Sequence, residues 1–340
     1  MYSIIHYSLL FMMALPLVGH ARPASPDDVV VFYNLENLFD TVDSPVTQDT
    51  DFTPQGRNKW TGKRLAGKLD AIAGTIIAAG SGEFPILVGV CEIENREVLR
   101  LLVEKTSLSR IGYGILHRDS PDPRGIDVAL LYRSDGFEVL HTAWFKVCYA
   151  SDSCPTREIL YAKGVLHGLD TLHVLVTHWP SKLSGATKSE PRRMRAATTL
   201  RAITDSVFRV NPRANIIVMG DFNDTPDSRP ITEGLLGGQD TAGTACLHNL
   251  MLPLARRGEG SLKYRAKWEL VDLFFVSGNL LNSAEPVYCR PAGVSIFRAP
   301  FLLVPDERYL GDKVHRTYMG VRYKGGASDH LPITMRLMFR

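Results

Sequence analysis

The sequence predicts an α/β protein of layered sheets with helices packed against them. Three observations predict it. Short apolar runs rich in Val and Ile alternate with helix-like stretches. No linker, repeat or low-complexity tract divides the chain. Hydrophobic residues make up 45% and charged residues 22% of 340 residues, which allows a full-sized core and excludes a disordered chain, a coiled coil and a collagen-like fibre. Lys+Arg 39 against Asp+Glu 36 leaves a net charge of +3, which by itself demands no particular partner.

The first element is Ile4 to Val18, an almost uninterrupted apolar run. It is shorter than the ~20 residues a spanning helix needs. Gly19-His20-Ala21 follows, with small residues where a signal peptidase reads. Residues 1–21 therefore read as an export signal cut after Ala21, with an uncleaved anchor as the alternative, and residues 22–340 as one domain exported to the periplasm or beyond. No Cys follows the run, which argues against a lipid anchor.

Val29–Tyr33, Ile86–Val90, Val128–Tyr132, Leu172–Thr177, Ile216–Met219 and Leu270–Val276 read as strands, too short for helices and β-rich in composition. Leu65, Leu69, Ile72 and Ile76 recur at helical spacing, and Gly80-Ser81-Gly82 ends that helix. Asn95–Lys105 reads as a short helix, and Ser189, with Pro191 in its first turn, opens a longer one to about Arg209. Glu233 to Gly260 and much of Val294–Lys324 read as surface loops. Export permits disulfides. Cys148 and Cys154 are expected to pair, Cys246 and Cys289 are candidates for a second bridge, and Cys91 reads as a buried free thiol.

Function shows in where the polar residues fall. Asn34 follows Val-Val-Val-Phe-Tyr, Glu92 follows a β-rich run, His178 follows Leu-His-Val-Leu-Val-Thr, and Asp221 and Asn223 follow Ile-Ile-Val-Met-Gly. Asp329-His330 precedes the last strand-like run, Leu331–Met335. Sheet proteins collect ligands at one end of their strands, so these residues are expected to build one polar pocket. Taken singly, each has a plainer reading: a turn for Asp221 to Pro226 and for Asn34, a helix cap for Glu92, a core histidine for His178. Their joint occurrence in this order is harder to dismiss.

Asn-Leu-Glu-Asn (34–37), Cys-Glu-Ile-Glu-Asn (91–95), Thr-His-Trp-Pro-Ser (177–181), Gly-Asp-Phe-Asn-Asp (220–224) and Ser-Asp-His (328–330) together resemble the ordered motifs of the endonuclease/exonuclease/phosphatase superfamily. Pancreatic deoxyribonuclease, abasic-site endonucleases, neutral sphingomyelinases and inositol polyphosphate 5-phosphatases belong to it. The resemblance spans about residues 28 to 340. It implies a four-layer α/β sandwich, two face-to-face mixed sheets flanked by helices. It also implies a metal-dependent phosphoric ester hydrolase with Glu92 as principal magnesium ligand, helped by Asn34 and Asp329; Mn2+ or Ca2+ are the alternative ions. Asp221 and Asn223 match the pair that positions the attacking water or leaving oxygen, and His178 matches a phosphate contact. His330 matches the C-terminal histidine, with Asp272 as its orienting carboxylate. The block at Arg124 and Asp127 departs from the Asn-Gly-Val that many members carry. Hydrolysis of this kind needs charge neutralisation, a positioned water and a proton-transfer group, and these residue types supply them.

Basic residues gather at Arg57–Lys68, at 188–213, with seven Lys/Arg against Glu190 and Asp205, and at Arg256–Lys267, with five against Glu259. The first two lie just after or between the motif loops, so a polyanion bridging them and the metal is one reading, a solvated face the other. Arg124, Arg192 and Arg195 are the candidate phosphate contacts. The leading reading is an exported, magnesium-dependent endo- or exonuclease acting as a monomer on nucleic acid. A phosphatase or sphingomyelinase-like hydrolase of lipid or inositol phosphates is the alternative, and an inactive binding module a third.

Overall fold

The computed structural model describes residues 27–147, 156–182, 185–237 and 243–340. The expected export signal and the Cys148–Cys154 bridge lie outside the described residues.

In chain order the elements are β1 (Asp27–Leu38), α1 (Gly62–Ala79), β2 (Leu87–Ile93), α2 (Arg96–Lys105), β3 (Gly114–His117), β4 (Asp127–Tyr132) and β5 (Phe137–Phe145). Then come β6 (Ile159–Leu166), β7 (Asp170–His178), α3 (Ala186–Val210), β8 (Asn215–Asp221), β9 (Leu247–Asn249), α4 (Leu252–Arg256), β10 (Leu262–Tyr264) and β11 (Lys267–Glu269). The chain closes with β12 (Asp272–Ser277), β13 (Val287–Ile296), β14 (Leu303–Pro305), β15 (Asp312–Val314), β16 (Tyr318–Met319), β17 (Arg322–Tyr323) and β18 (Ile333–Phe339).

Two six-stranded sheets dominate, one ordered β13-β18-β1-β2-β4-β3 and the other β5-β6-β7-β8-β12-β9. Each has one parallel pair, β1 with β2 and β7 with β8, among antiparallel neighbours. The period-2 alternation of a strand decides the layers. On β1, Val30 and Phe32 enter the core between the sheets, while Val29, Val31, Tyr33 and Leu35 pack under α1 and α2. On the second sheet's outer side lie Ala196, Ala197, Leu200, Ile203 and Phe208 of α3. The result is four layers, helices outside and sheets face to face, as the motifs imply. Both faces of the central strands are buried, which explains their unbroken apolar sequences. Each fully buried Val, Leu, Ile or Phe contributes about 1.5–3 kcal/mol of transfer free energy.

Helix ends follow local chemistry. Thr61 caps α1 by accepting from the Arg64 N–H, and Asn95 caps α2 by accepting from the Val98 N–H at 3.0 Å. The third helix differs from expectation. It opens at Gly185 (φ 99), one turn before Ser189, and Pro191 falls in its second turn. The Ser189 hydroxyl bonds the Gly185 carbonyl at 2.7 Å instead of capping a new helix.

Three further expectations need correction. The stretch from Glu233 to Gly260 holds the end of a helical turn, strand β9 on the second sheet's edge, and α4. Residues 294–324 hold the end of β13 and two small ribbons, β14 with β15 and β16 with β17. Cys246 and Cys289 are free thiols, not a bridge. Cys289 is buried in β13 of the first sheet, while Cys246 leads into β9 at the edge of the second. Cys91 is buried and free, as read from its strand.

Candidate active site

His178, Asp221 and Asp272 stand side by side in register across β7, β8 and β12. Parallel pairing of β7 with β8 and antiparallel pairing of β8 with β12 bring two strand ends and one strand start to the same edge. Asp272 opens its strand; the mid-strand position read from the sequence is two residues out. Across the gap between sheets, Asn34 of β1 donates from Nδ2 to Asp221 Oδ2 at 3.0 Å. The strand ends therefore meet at one polar edge, as the sequence reading expected.

The first sheet reaches this edge through irregular backbone. Register shifts between Asn34 and Leu38 and between Cys91 and Ile93 mark bulges in β1 and β2. Glu36 (φ 45), Asn37 (φ 52) and Glu92 (φ 58) adopt left-handed conformations there. Such residues cost of order 1–3 kcal/mol each and gather where a strand must re-aim a side chain. The Asn37 N–H donates to Glu92 Oε2 at 2.9 Å, so the two bulges hold each other.

Asp221 is the centre of the charge pattern. Its Oδ1 accepts the Asn223 N–H at 2.8 Å, while His178 Nε2 and His330 Nε2 lie 3.6 and 4.0 Å from Oδ2. Burial, reinforced by the charge of Asp272, pushes the Asp221 carboxyl up to about 7 against the pull of His330. His330 Nδ1 meets Asp272 Oδ2 at 2.7 Å, and the buried Ser261 hydroxyl donates to that same oxygen. Burial alone would lower the pKa of His330; Asp272 and then Asp221 more than offset it and hold it well above the usual imidazole value. His178 goes the other way. Burial, followed by the charges of Arg157 and Arg124, holds it well below that value, and its buried Nδ1 has no hydrogen-bond partner. One carboxyl thus lies between a neutral and a charged imidazole.

Asp329 and Glu92 carry the remaining carboxylates. Arg316 donates to Asp329 Oδ2 at 2.8 Å and reaches Glu36 Oε1 at 3.1 Å. Lys68, fully buried, donates to the Glu36 carbonyl and to Thr317 Oγ1, both at 2.6 Å. Burial lowers the Lys68 ammonium to about 8 despite the fields of Glu36, Asp329 and Glu92. Burial and the like charge of Asp329 raise the Glu36 carboxyl. Crowded oxygens of this kind suit a hard divalent cation. Among the described residues, Glu92 Oε1 and Asp329 Oδ1 accept no hydrogen bond, which leaves them open to one. Asn34 is already engaged through both polar ends, Nδ2 on Asp221 and Oδ1 under the Glu36 N–H at 2.9 Å. Its demonstrated work is to orient Asp221, with one Oδ1 lone pair left for a cation.

Of the expected phosphate contacts, Arg124 belongs to the site: it donates to Asn37 Oδ1 at 2.7 Å and its charge reaches His178. Asp127 binds the Ser120 N–H at 2.8 Å and faces His117 Nε2 at 3.1 Å, so it holds the loop that carries Arg124. Asn223 takes a left-handed φ of 49, and its Nδ2 donates to the Trp179 carbonyl at 3.0 Å. Arg192 and Arg195 are exposed on α3. The inward residue is Arg193. It is 2% exposed and bonds Asp224 Oδ2 at 2.7 Å, Ser189 Oγ at 2.7 Å and the Ala186 carbonyl at 3.0 Å. Replacing Arg193 with Met should destabilise the protein by about 3 kcal/mol, because a buried carboxylate loses its main partner. Lys182, 3.1 Å from Asp224, keeps the loss at the low end of that range. Urea denaturation checks it, and a change under about 1 kcal/mol refutes the pairing.

Sequence reasoning missed Glu36, Arg157, Ser261 and Arg316, and it placed Lys68 in a basic cluster on a solvated or polyanion-binding face, whereas Lys68 is buried. Lys68 left a signal, a lysine on the buried stripe of Leu65, Leu69 and Ile72. Arg316 lies in a segment read as a loop and Ser261 just past another, and neither left one.

Residues 29–338 match the Endonuclease/Exonuclease/phosphatase family. The chain belongs to this family. Like its members, it is a metal-dependent phosphoric ester hydrolase. No curated protein matches the sequence. Solved structures share the fold at low identity. TDP2 of D. rerio, in a humanized form, superposes with a TM-score of 0.56 at 16% identity, covering 92% of this chain and 99% of its own. The human Nocturnin catalytic domain with bound sulfate gives 0.55 at 16%, covering 93% and 96%. The mannosyl-6-phosphatase of Bacteroides thetaiotaomicron gives 0.57 at 14%, covering 92% and 99%.

Proposed function

We propose that the protein is an exported, magnesium-dependent phosphodiesterase acting on nucleic acid. The observation that carries the substrate class is the β10–β11 ribbon. It is rooted on the histidine–carboxylate pair: Leu262 bridges to His330, the Leu331 N–H bonds the Ser261 carbonyl at 2.7 Å, and the Ser261 hydroxyl holds Asp272. From that root it projects exposed Tyr264, Arg265 and Lys267, with Arg298 stacked 4.2 Å over Trp268. An exposed tyrosine ring beside several cations suits a stacked base and a phosphate backbone, whereas a small head group reaches only one or two phosphates. Export rests on the leader-like residues 1–21.

Magnesium, held by Glu92 and Asp329 with the spare lone pair of Asn34, would neutralise phosphoryl charge and acidify a bound water. Asp221, fixed by Asn34 and the Asn223 N–H, is placed to take the proton of the attacking water. The charged His330, steadied by Asp272, offers its Nε2–H to a phosphoryl oxygen. Neutral His178 and Arg124 line the same pocket, where they can bind the phosphate without adding a second acid.

Binding of an inactive Asp221→Asn protein to DNA across a salt series tests the substrate class. Each phosphate contact adds about 0.9 to the log–log slope for duplex and about 0.7 for single strands. Arg265→Gln with Lys267→Gln should lower the slope by about one to two units, as should Arg192→Ala with Arg195→Ala. A slope near zero, with turnover of small phosphate esters, would instead assign the enzyme to lipid or inositol phosphates or other small substrates.

A further inference from the structure

We infer that Cys91, His178 and Asp221 form a second cation site, for a thiophilic divalent ion of the zinc class, set beside the magnesium donors and inhibitory when filled. The thiol sulfur, an imidazole nitrogen and a carboxylate oxygen all lie within 4.8 Å of one another. Each comes from a different strand: Cys91 from β2 in one sheet, His178 and Asp221 from β7 and β8 in the other. Alternation along β2 turns Cys91 toward the facing sheet, while Val88 and Val90 turn outward.

Donor chemistry separates this site from the first. Glu92 and Asp329 offer only oxygen, which suits magnesium. A sulfur, a nitrogen and one oxygen make a three-ligand set that magnesium disfavours and zinc prefers, with a fourth position left for water. The His178 nitrogen nearest Asp221 is Nε2, 3.6 Å from Oδ2 with no hydrogen bond between them, while Nδ1 is buried without a partner, so the fold leaves the ring's hydrogen-bonding capacity unused. Glu92, whose side chain is 15% exposed, lies 4.0 Å from His178 Nε2. On binding, the Cys91 S–H proton leaves to solvent and the sulfur becomes a thiolate ligand. The ion then occupies the carboxylate and the imidazole that hydrolysis requires, so it stops turnover without displacing magnesium.

The experiment titrates magnesium-loaded enzyme with zinc and, separately, binds cobalt(II) to metal-free protein. Zinc should inhibit the native enzyme, and Cys91→Ser should keep magnesium-dependent turnover while weakening that inhibition by at least roughly a hundredfold, since even an outer-shell partner is worth ~10–100-fold. Cobalt should give a near-ultraviolet thiolate charge-transfer band in the native protein and in Glu92→Gln, and none in Cys91→Ser. Circular dichroism verifies the fold of each variant. Equal zinc sensitivity in native and Cys91→Ser enzymes would place zinc in the magnesium site and overturn the inference. So would a cobalt spectrum without the thiolate band.

Discussion

Glu92→Gln should abolish hydrolysis at any magnesium concentration, and with it the thermal stabilisation that magnesium is expected to give the native enzyme. The substitution keeps the length of the side chain and an oxygen acceptor for the Asn37 N–H, which now bonds Oε2 at 2.9 Å. Only the charge proposed to draw the cation is lost. Glu92→Ala should be equally inactive and also less stable, because the Asn37 N–H loses its acceptor, a cost of about 1–3 kcal/mol where the donor stays buried. EDTA should silence the native enzyme, and magnesium should restore it. Thermal unfolding with and without magnesium separates a lost ligand from a lost fold. Full activity of the native protein in EDTA, after removal of bound divalent ions, would refute the metal mechanism outright.

The second large effect belongs to His330 and Asp272. A positioned general acid or base is worth roughly 10²–10⁴-fold, so His330→Ala should lower kcat by at least about a hundredfold. Asp272→Asn should cost a similar factor. Its amide carries no negative charge 2.7 Å from Nδ1, so the imidazole loses the charge that keeps it protonated. Because the two side chains act as one unit, the double variant should be little worse than either single one. Near-normal turnover in both single variants, or full additivity in the double, would show that the pair does not act together. Both substitutions sit in the buried layer, so folding is checked by circular dichroism before the kinetics are read.

The Arg193 and salt-slope predictions work on a smaller scale, and they touch residues whose roles changed between sequence and structure. The triplet Arg192, Arg193 and Arg195 shows why. Helical spacing correctly puts Arg192 and Arg195 on one face, but spacing carries no sign, and it does not say which face meets the protein. The buried partner, Asp224, follows the Gly-Asp-Phe-Asn motif 31 residues on, and only the folding of the segment after β8 against α3 brings it to Arg193.

By itself the sequence determined the layered α/β class, the main strands and helices, and the polar residue at the end of each central strand. Those features are local: a β-rich apolar run makes a strand, and the first polar residue after it is a candidate for the strand's end. The five motifs in order then resembled one family, and their side chains do meet at one edge. Tertiary structure alone decided the rest. Pairing of β7, β8 and β12 sets His178, Asp221 and Asp272 in one row, and the bulges in β1 and β2 bend Glu36 and Glu92 into left-handed backbone. Burial lowers the pKa of both histidines, and their neighbours divide them: Arg157 and Arg124 depress His178 further, while Asp272 and Asp221 raise His330 well above its usual value. Ser261, Lys68 and Arg316 join the site through contacts with partners distant in the chain or outside any motif. Such contacts depend on the sum of many packing interactions across the two sheets, and no window of neighbouring residues contains that sum.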